Sequence, residues 1–207
     1  TLMRAYGWED GSAFREVIQR TLMRGGLSAE STLADLKRLV RQEFVCACTD
    51  LGAGTLCLLS ADTAPGMRVC DAIYASCCVP FVFAPMRNES SGRMLVDGCL
   101  TCEIPEVFEE SRTLFVTAMD SANANTGINS WADFLHGIVR CTTEPQRPRL
   151  ARLYEHNAER TVCVAAPVDA PTFDVNLTED SCEQLFRIGY ASARDALSNR
   201  RLSATIG

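Results

Sequence analysis

The sequence predicts an α/β fold with a mainly parallel central sheet. Three observations carry that expectation. Short apolar runs of strand length alternate with amphipathic runs of helix length. Several of the strand runs are apolar on both faces, as in sheets covered on both sides. Finally, 207 residues with 47% apolar and 22% charged content can bury the core of one domain. No repeat, low-complexity linker or second domain is visible, so residues 1–207 read as one domain.

In chain order, Asp10-Gly11 opens a helix that places Phe14, Val17, Ile18 and Leu22 on one face, and Gly25-Gly26 stop it. Thr32 and Asp35 form a capping-box pattern ahead of Leu36, Leu39 and Val40. The apolar run Glu43 to Thr49 has strand length. Beyond Asp50, Gly52 and Gly54, Thr55 to Leu59 reads as its partner strand. A helix over Val69 to Cys78 is ended by Pro80. Met94-Leu95-Val96 is a short buried strand running into Asp97-Gly98, and Thr113 to Ala118 is a further strand. Helices over Trp131 to Arg140 and Arg149 to Ala158 precede a core strand over Thr161 to Ala165. The last helix starts at Thr178. It carries Glu179 and Asp180 in its first turn and Arg200-Arg201 near its end, as the helix dipole favours.

The charge balance of 20 basic against 26 acidic residues, a net −6, argues against a nucleic-acid partner. Eleven cysteines are many, but their number is odd and most sit inside apolar runs. A chain of this size with its own core needs no disulfide framework, so a reducing, cytoplasmic setting is expected, with peripheral contact at membranes left open. No apolar run approaches the roughly 18–20 residues that span a bilayer. The chain begins Thr1-Leu2-Met3, and a segment upstream is expected to have been removed.

Five stretches in this order resemble the later two-thirds of the patatin-like phospholipase family, across roughly residues 6–198. They are Tyr6-Gly7-Trp8-Glu9-Asp10-Gly11; Ala47-Cys48-Thr49-Asp50-Leu51 with Gly54; and Asp71-Ala72-Ile73-Tyr74-Ala75-Ser76 with Val79-Pro80 and Phe83-Ala84-Pro85. Leu95-Val96-Asp97-Gly98-Cys99-Leu100 with Ile104-Pro105 is the fourth. The fifth is the tail from Phe173-Asp174 through Leu177-Thr178-Glu179-Asp180 and Gly189-Tyr190 to Ala196-Leu197. The resemblance implies a patatin-like three-layer sandwich lacking its N-terminal strands, and a lipid acyl ester hydrolase of phospholipase A or lysophospholipase type. In that family a serine on a G-x-S-x-G elbow attacks the ester, and an aspartate takes its proton directly. The position that matches this aspartate is Asp97, with Gly98 and Cys99 as its neighbourhood. The serine and the oxyanion loop would then lie upstream of Thr1, and the chain alone is expected to be inactive. The resemblance implies no cofactor and no metal. A lipid or membrane-surface substrate is implied, and so is association with the missing N-terminal segment.

The demand on such an aspartate is chemical. A free carboxyl titrates near ~3.9 and is a weak base at neutral pH. It must sit within hydrogen-bond reach of the hydroxyl, in a partly desolvated place. The end of a buried strand offers this, and Gly98 allows a sharp turn there. Against that stands the plain reading of Asp-Gly as a turn. Cys99 replaces the family's small residue, and Cys102-Glu103 replaces its common asparagine pair. These departures favour a rival, a non-catalytic patatin-like protein that binds lipid or serves a structural role. A soluble esterase acting on small esters is a third reading.

Other constellations weigh less. Ser28 lies between two helices and lacks the second glycine of an elbow. Cys99-x-x-Cys102 has the spacing of a zinc or redox motif, but no further ligand pair accompanies it. His136 and His156 are isolated on predicted helices. Arg147, Arg149 and Arg152 read as a solvated helix face, with anionic lipid contact as the sharper alternative. Without central neighbours the remaining strands would leave an apolar edge, so aggregation and an open groove beside Asp97 are expected.

Overall fold

The computed structural model describes residues 6–88, 91–102, 104–105, 107, 109, 112–119, 128, 131–165 and 178–206. It divides into two compact units, residues 1–105 and 106–207.

In the first unit the chain runs β1 (Gly7–Glu9), α1 (Ser12–Arg24), α2 (Leu33–Val40), β2 (Cys46–Asp50), β3 (Thr55–Leu59), α3 (Val69–Cys77), β4 (Phe81–Phe83), β5 (Met86–Arg87) and β6 (Met94–Asp97). Four strands form a sheet in the order β3-β2-β6-β5, and β1 pairs with β4 in a separate parallel pair. The four-stranded sheet is antiparallel throughout, whereas the sequence reading expects mainly parallel strands. Its connections explain the difference. A tight turn joins β2 to β3, and between β5 and β6 the Asn88 N–H donates to Arg93 O at 2.9 Å; strands joined by so short a connection can only be antiparallel. In the β2–β3 turn Asp50 Oδ1 accepts from the backbone N–H of Gly52 (2.9 Å) and of Ala53 (3.2 Å). Such an Asx turn reverses the chain at once.

The helix starts follow their local chemistry. Thr32 and Asp35 form the expected capping box: Asp35 N–H donates to Thr32 Oγ1 (3.2 Å) and Thr32 N–H to Asp35 Oδ2 (2.9 Å). At the start of α1, Gly11 takes φ 77°, and a Cβ there would lie 2.3 Å from the Tyr74 ring, so only glycine fits. Two helix faces differ from expectation. Phe14, Ile18 and Leu22, spaced by four, pack on the core, whereas Val17 lies about 100° round the helix from Ile18's side and is 57% exposed. In α2 the residue buried is Leu33, while Leu39 and Val40 are exposed.

The core gathers on α3, whose Val69, Cys70, Ala72, Tyr74 and Ala75 are buried together with Leu95 and Val96 of β6. Phe14, Tyr74 and Phe83 form an aromatic cluster with ring centroids 5.6–6.3 Å apart. Tyr74 also donates its hydroxyl to Ala84 O (2.6 Å), so the buried phenol is satisfied.

The second unit holds β7 (Phe115–Met119), α4 (Trp131–Thr143), α5 (Arg147–His156), β8 (Thr161–Ala165) and α6 (Glu179–Ile206). β7 and β8 pair in parallel, Phe115 opposite Thr161 through Met119 opposite Ala165. The mixed α/β class is thus as expected, with parallel pairing in both units. The tail stretch from Phe173 to Leu177 lies outside the described residues.

Candidate functional site

Asp97 is the last residue of β6, half-buried and opposite Cys48 of β2 in the antiparallel ladder. Its backbone is held from two sides. Its N–H donates to Cys78 O (3.1 Å), and its carbonyl accepts from Thr49 Oγ1 (2.9 Å). With its one proton committed there, Thr49 Oγ1 is left to accept from Thr101 Oγ1, 3.0 Å away. The carboxylate is oriented as well, because Oδ1 accepts the Cys99 N–H at 2.9 Å and caps a single 3₁₀ turn over Gly98–Leu100. Among the described residues the other oxygen, Oδ2, accepts no hydrogen bond. One oxygen is spent on orientation and one is left over.

Gly98 makes this arrangement possible. A Cβ at this position would lie 2.5 Å from Ala47 O and 2.8 Å from Ala47 C, both backbone atoms that cannot swing aside. The same Ala47 carbonyl accepts from Ser76 Oγ at 2.7 Å. Behind it the sulfurs are buried. Burial, with the Asp97 charge adding to it, pushes the Cys78 thiol up to about 11, and burial pushes Cys46 up to about 12. These thiols stay protonated at neutral pH and serve as core.

Three of the stretches picked out in the sequence therefore meet at one point. Ala47 and Thr49 come from the β2 hairpin, Ser76 and Cys78 from the end of α3, and Asp97 and Gly98 from β6. Thr49 and Ser76 were present in those stretches but had no assigned part, and Thr101 had no signal at all. Their roles depend on long-range pairing, with sequence separations of 29 to 52 residues.

Cys99 is exposed, and Cys102 donates its N–H to Gly98 O at 2.9 Å. Glu103 lies outside the described residues. Among the described residues no cluster of His, Cys, Asp or Glu could hold a metal ion. Ser28 sits in the loop between α1 and α2, where its N–H donates to Ser31 Oγ (2.9 Å). His156 ends α5 in the second unit, and the side chain of His136 lies outside the described residues. Of the basic stretch, Arg147 pairs with Glu144 at 3.1 Å, and Arg152 donates Nε to Pro148 O at 3.1 Å, the contacts of a solvated helix face.

The sequence model described as patatin-like phospholipase matches residues 4–106. Residues 4–106 belong to that family. The patatin-like stretch ends within a residue of the division between the two units, and among the described residues it contains the hydrogen-bond partners of Asp97. Among solved structures the chain is similar to VipD from Legionella pneumophila, with a TM-score of 0.56 at 18% identity. The match covers 84% of this chain, so the shared fold extends past the patatin-like stretch, and it spans 36% of the VipD chain. No curated protein matches the sequence. Among the described residues no helix is long and apolar enough to cross a membrane.

Proposed function

We propose that the chain is part of a patatin-like lipid acyl ester hydrolase in which Asp97 is the general base. The nucleophile is a serine on an elbow upstream of Thr1, and the two units belong to one patatin-like domain. The observation that carries this reading is the split role of the Asp97 carboxylate: Oδ1 is fixed by the Cys99 N–H, and Oδ2 has no partner among the described residues.

The chemistry needs nothing else from this carboxylate. Oδ2 takes the serine proton as the serine oxygen attacks the ester carbonyl, and returns it to the departing alcohol when the tetrahedral intermediate collapses. In the second half a water gives its proton to the same oxygen while attacking the acyl-enzyme. The proton then passes back to the serine as the free acid leaves. A fixed Oδ1 keeps Oδ2 from swinging away between the two halves. The family described for residues 4–106 supports a lipid substrate.

The same hydrogen bond supports the non-catalytic rival, since a carboxylate that caps a turn has a structural reason to be there. Asp97→Asn separates the two. The amide oxygen can still accept the Cys99 N–H, but the side chain cannot take a proton. In the full natural protein we expect turnover of a phospholipid or p-nitrophenyl ester to fall by about 10²–10⁴-fold with an unchanged melting temperature. Retention of activity together with stability would leave Asp97 the structural role alone.

A further inference from the structure

Among the described residues, Cys48 of β2 and Cys57 of β3 are the one pair of cysteines placed directly opposite each other in a strand ladder. Directly opposite residues of an antiparallel pair share a face of the sheet, with Cα atoms about 4.5 or 5.5 Å apart. Either spacing falls within the range of about 4.4–6.8 Å at which a disulfide closes. The two thiols also interact, and both are free. Burial pushes the Cys48 thiol up, and the Cys57 thiol beside it pushes it further. Cys48 Sγ donates to Cys57 O at 3.3 Å.

Their surroundings differ. Cys48 is fully buried, whereas Cys57 is half-buried, so a small molecule arriving from solvent meets Cys57 first. A buried cysteine by itself is ordinarily a small apolar filler, and Cys48 alone would fit that role. Packing does not call for a second, partly exposed thiol opposite it. An outer sulfur that reacts, with an inner sulfur held behind it to resolve the product, is the arrangement of a redox couple. On the other side of β2, Cys48 stands opposite Asp97, so Cys57, Cys48 and Asp97 occupy one row across three strands.

We propose that Cys48 and Cys57 form a reversible thiol–disulfide couple whose oxidant is a hydroperoxide. The Cys57 sulfur, as the thiolate, attacks the outer oxygen of the hydroperoxide. The O–O bond breaks, the alcohol leaves with a proton, and Cys57 becomes a sulfenic acid. The Cys48 sulfur then attacks the Cys57 sulfur, the S–O bond breaks, and the Cys48 proton leaves with the hydroxide as water. Two thiols are oxidised and one hydroperoxide is reduced; an external dithiol returns the two electrons and two protons. The proposal is independent of the hydrolase reading, because none of these steps uses the Asp97 carboxylate.

Disulfide mapping of the full natural protein tests it. The protein is treated with limiting hydrogen peroxide, the remaining thiols are alkylated under denaturing conditions, and the chain is cut on the amino side of Asp50, which separates Cys48 from Cys57. A Cys48–Cys57 link that is absent before peroxide and removed again by dithiothreitol supports the proposal. Cys57→Ser should abolish the link, and Cys46→Ser should leave it, which excludes the sulfur two residues away. In Cys48→Ala the sulfenic acid on Cys57 has no resolving partner, so its labelling by dimedone should rise above that of the natural protein. Three results would each overturn the proposal: Cys57 left unoxidised, Cys57 carried to the sulfinic acid with Cys48 still free, or Cys57 linked to another cysteine. The map is made on the natural sequence, so it decides the matter even where Cys48→Ala fails to fold.

Discussion

The two units differ in how they bury apolar groups. In the first, fourteen buried apolar residues form one contiguous cluster around α3 and the four-stranded sheet. Among the described residues of the second, four apolar residues are buried (Phe115, Leu135, Leu150 and Val162), while Trp131, Phe134, Phe186 and Tyr190 stay largely exposed. The first unit is also laced by side-chain to backbone hydrogen bonds that join distant segments at Asp97 and Tyr74. The lesson concerns what each stretch of sequence is constrained by. Between residues 7 and 102 the chain must satisfy specific close approaches, so particular residues at particular places are required. Among the described residues of the second unit, buried apolar side chains are fewer and fewer side-chain bonds join distant segments.

The sharpest way to break that comparison is a core truncation. Leu95→Ala removes a side chain that is 1% exposed from the centre of the cluster and should cost about 2–5 kcal/mol in urea unfolding. Each unit contains one of the two tryptophans, Trp8 and Trp131, both exposed, so single-tryptophan variants report the units separately. A loss of similar size seen at both probes would mean that the units unfold as one cooperative body.

The second effect in size is Gly98→Ala. Its Cβ would press on the Ala47 carbonyl, and overpacking of this kind costs about 1–3 kcal/mol. Because Gly98 adjoins Asp97, the same change should also reduce turnover in the full natural protein. A neutral effect on both would show that the approach of β6 to β2 is looser than 2.5 Å implies.

Alkaline pH should separate the units as well. The folded-state values of Cys46 and Cys78 are raised from 9.0 to about 12 and about 11. A raised value means that their contribution is fully present below pH 9.0 and is lost as pH rises through 11 and 12. The Trp8 transition should therefore fall in midpoint above pH 9. A midpoint unchanged up to pH 11 would mean that these thiols are hydrated in solution.

How much of this was legible depended on the range of the interactions. The capping box of Thr32 and Asp35, the Asp50 hairpin and the bounds of β3 and β8 are local, and local chemistry predicted them. The short strands β1, β4 and β5, of two or three residues, carry no periodicity long enough to detect, and they exist because partners reach them. The antiparallel pairing of β6 with β2 and β5 was not legible, because apolar runs report burial on both faces and not strand direction. At the site, Asp97 and Gly98 stood out through the order of the motifs. Thr49, Ser76 and Thr101 became meaningful only once the chain had brought them to the backbone around Asp97.

A local feature supplies a smaller test. Thr32→Ala removes the acceptor for Asp35 N–H and should cost about 1 kcal/mol. The Asp35 carboxyl lies below its ordinary 3.8 because the Thr32 N–H binds its charged form. Its contribution is therefore present above pH 3.8 and is lost as pH falls through the lower folded value. The cost of Thr32→Ala should then shrink in acid; a cost that stays constant to pH 2 would remove Asp35 from the account.

The smallest expected effect lies in the second unit. Phe186 and Tyr190 stand four residues apart on α6 with ring centroids 6.4 Å apart and an interplanar angle of 23°, and they are 68% and 62% exposed. Rings this exposed contribute little burial, and a helical i, i+4 pair is worth about 0.2–0.5 kcal/mol. Phe186→Ala should thus change stability at the Trp131 probe by no more than about 0.5 kcal/mol. The size of the effect decides whether the face is open in solution. A loss near 2 kcal/mol is what a covered aromatic gives, and it would show that Phe186 is buried in the natural protein. If that loss also grew with protein concentration, the cover would be a second molecule, because a contact within one chain does not depend on concentration.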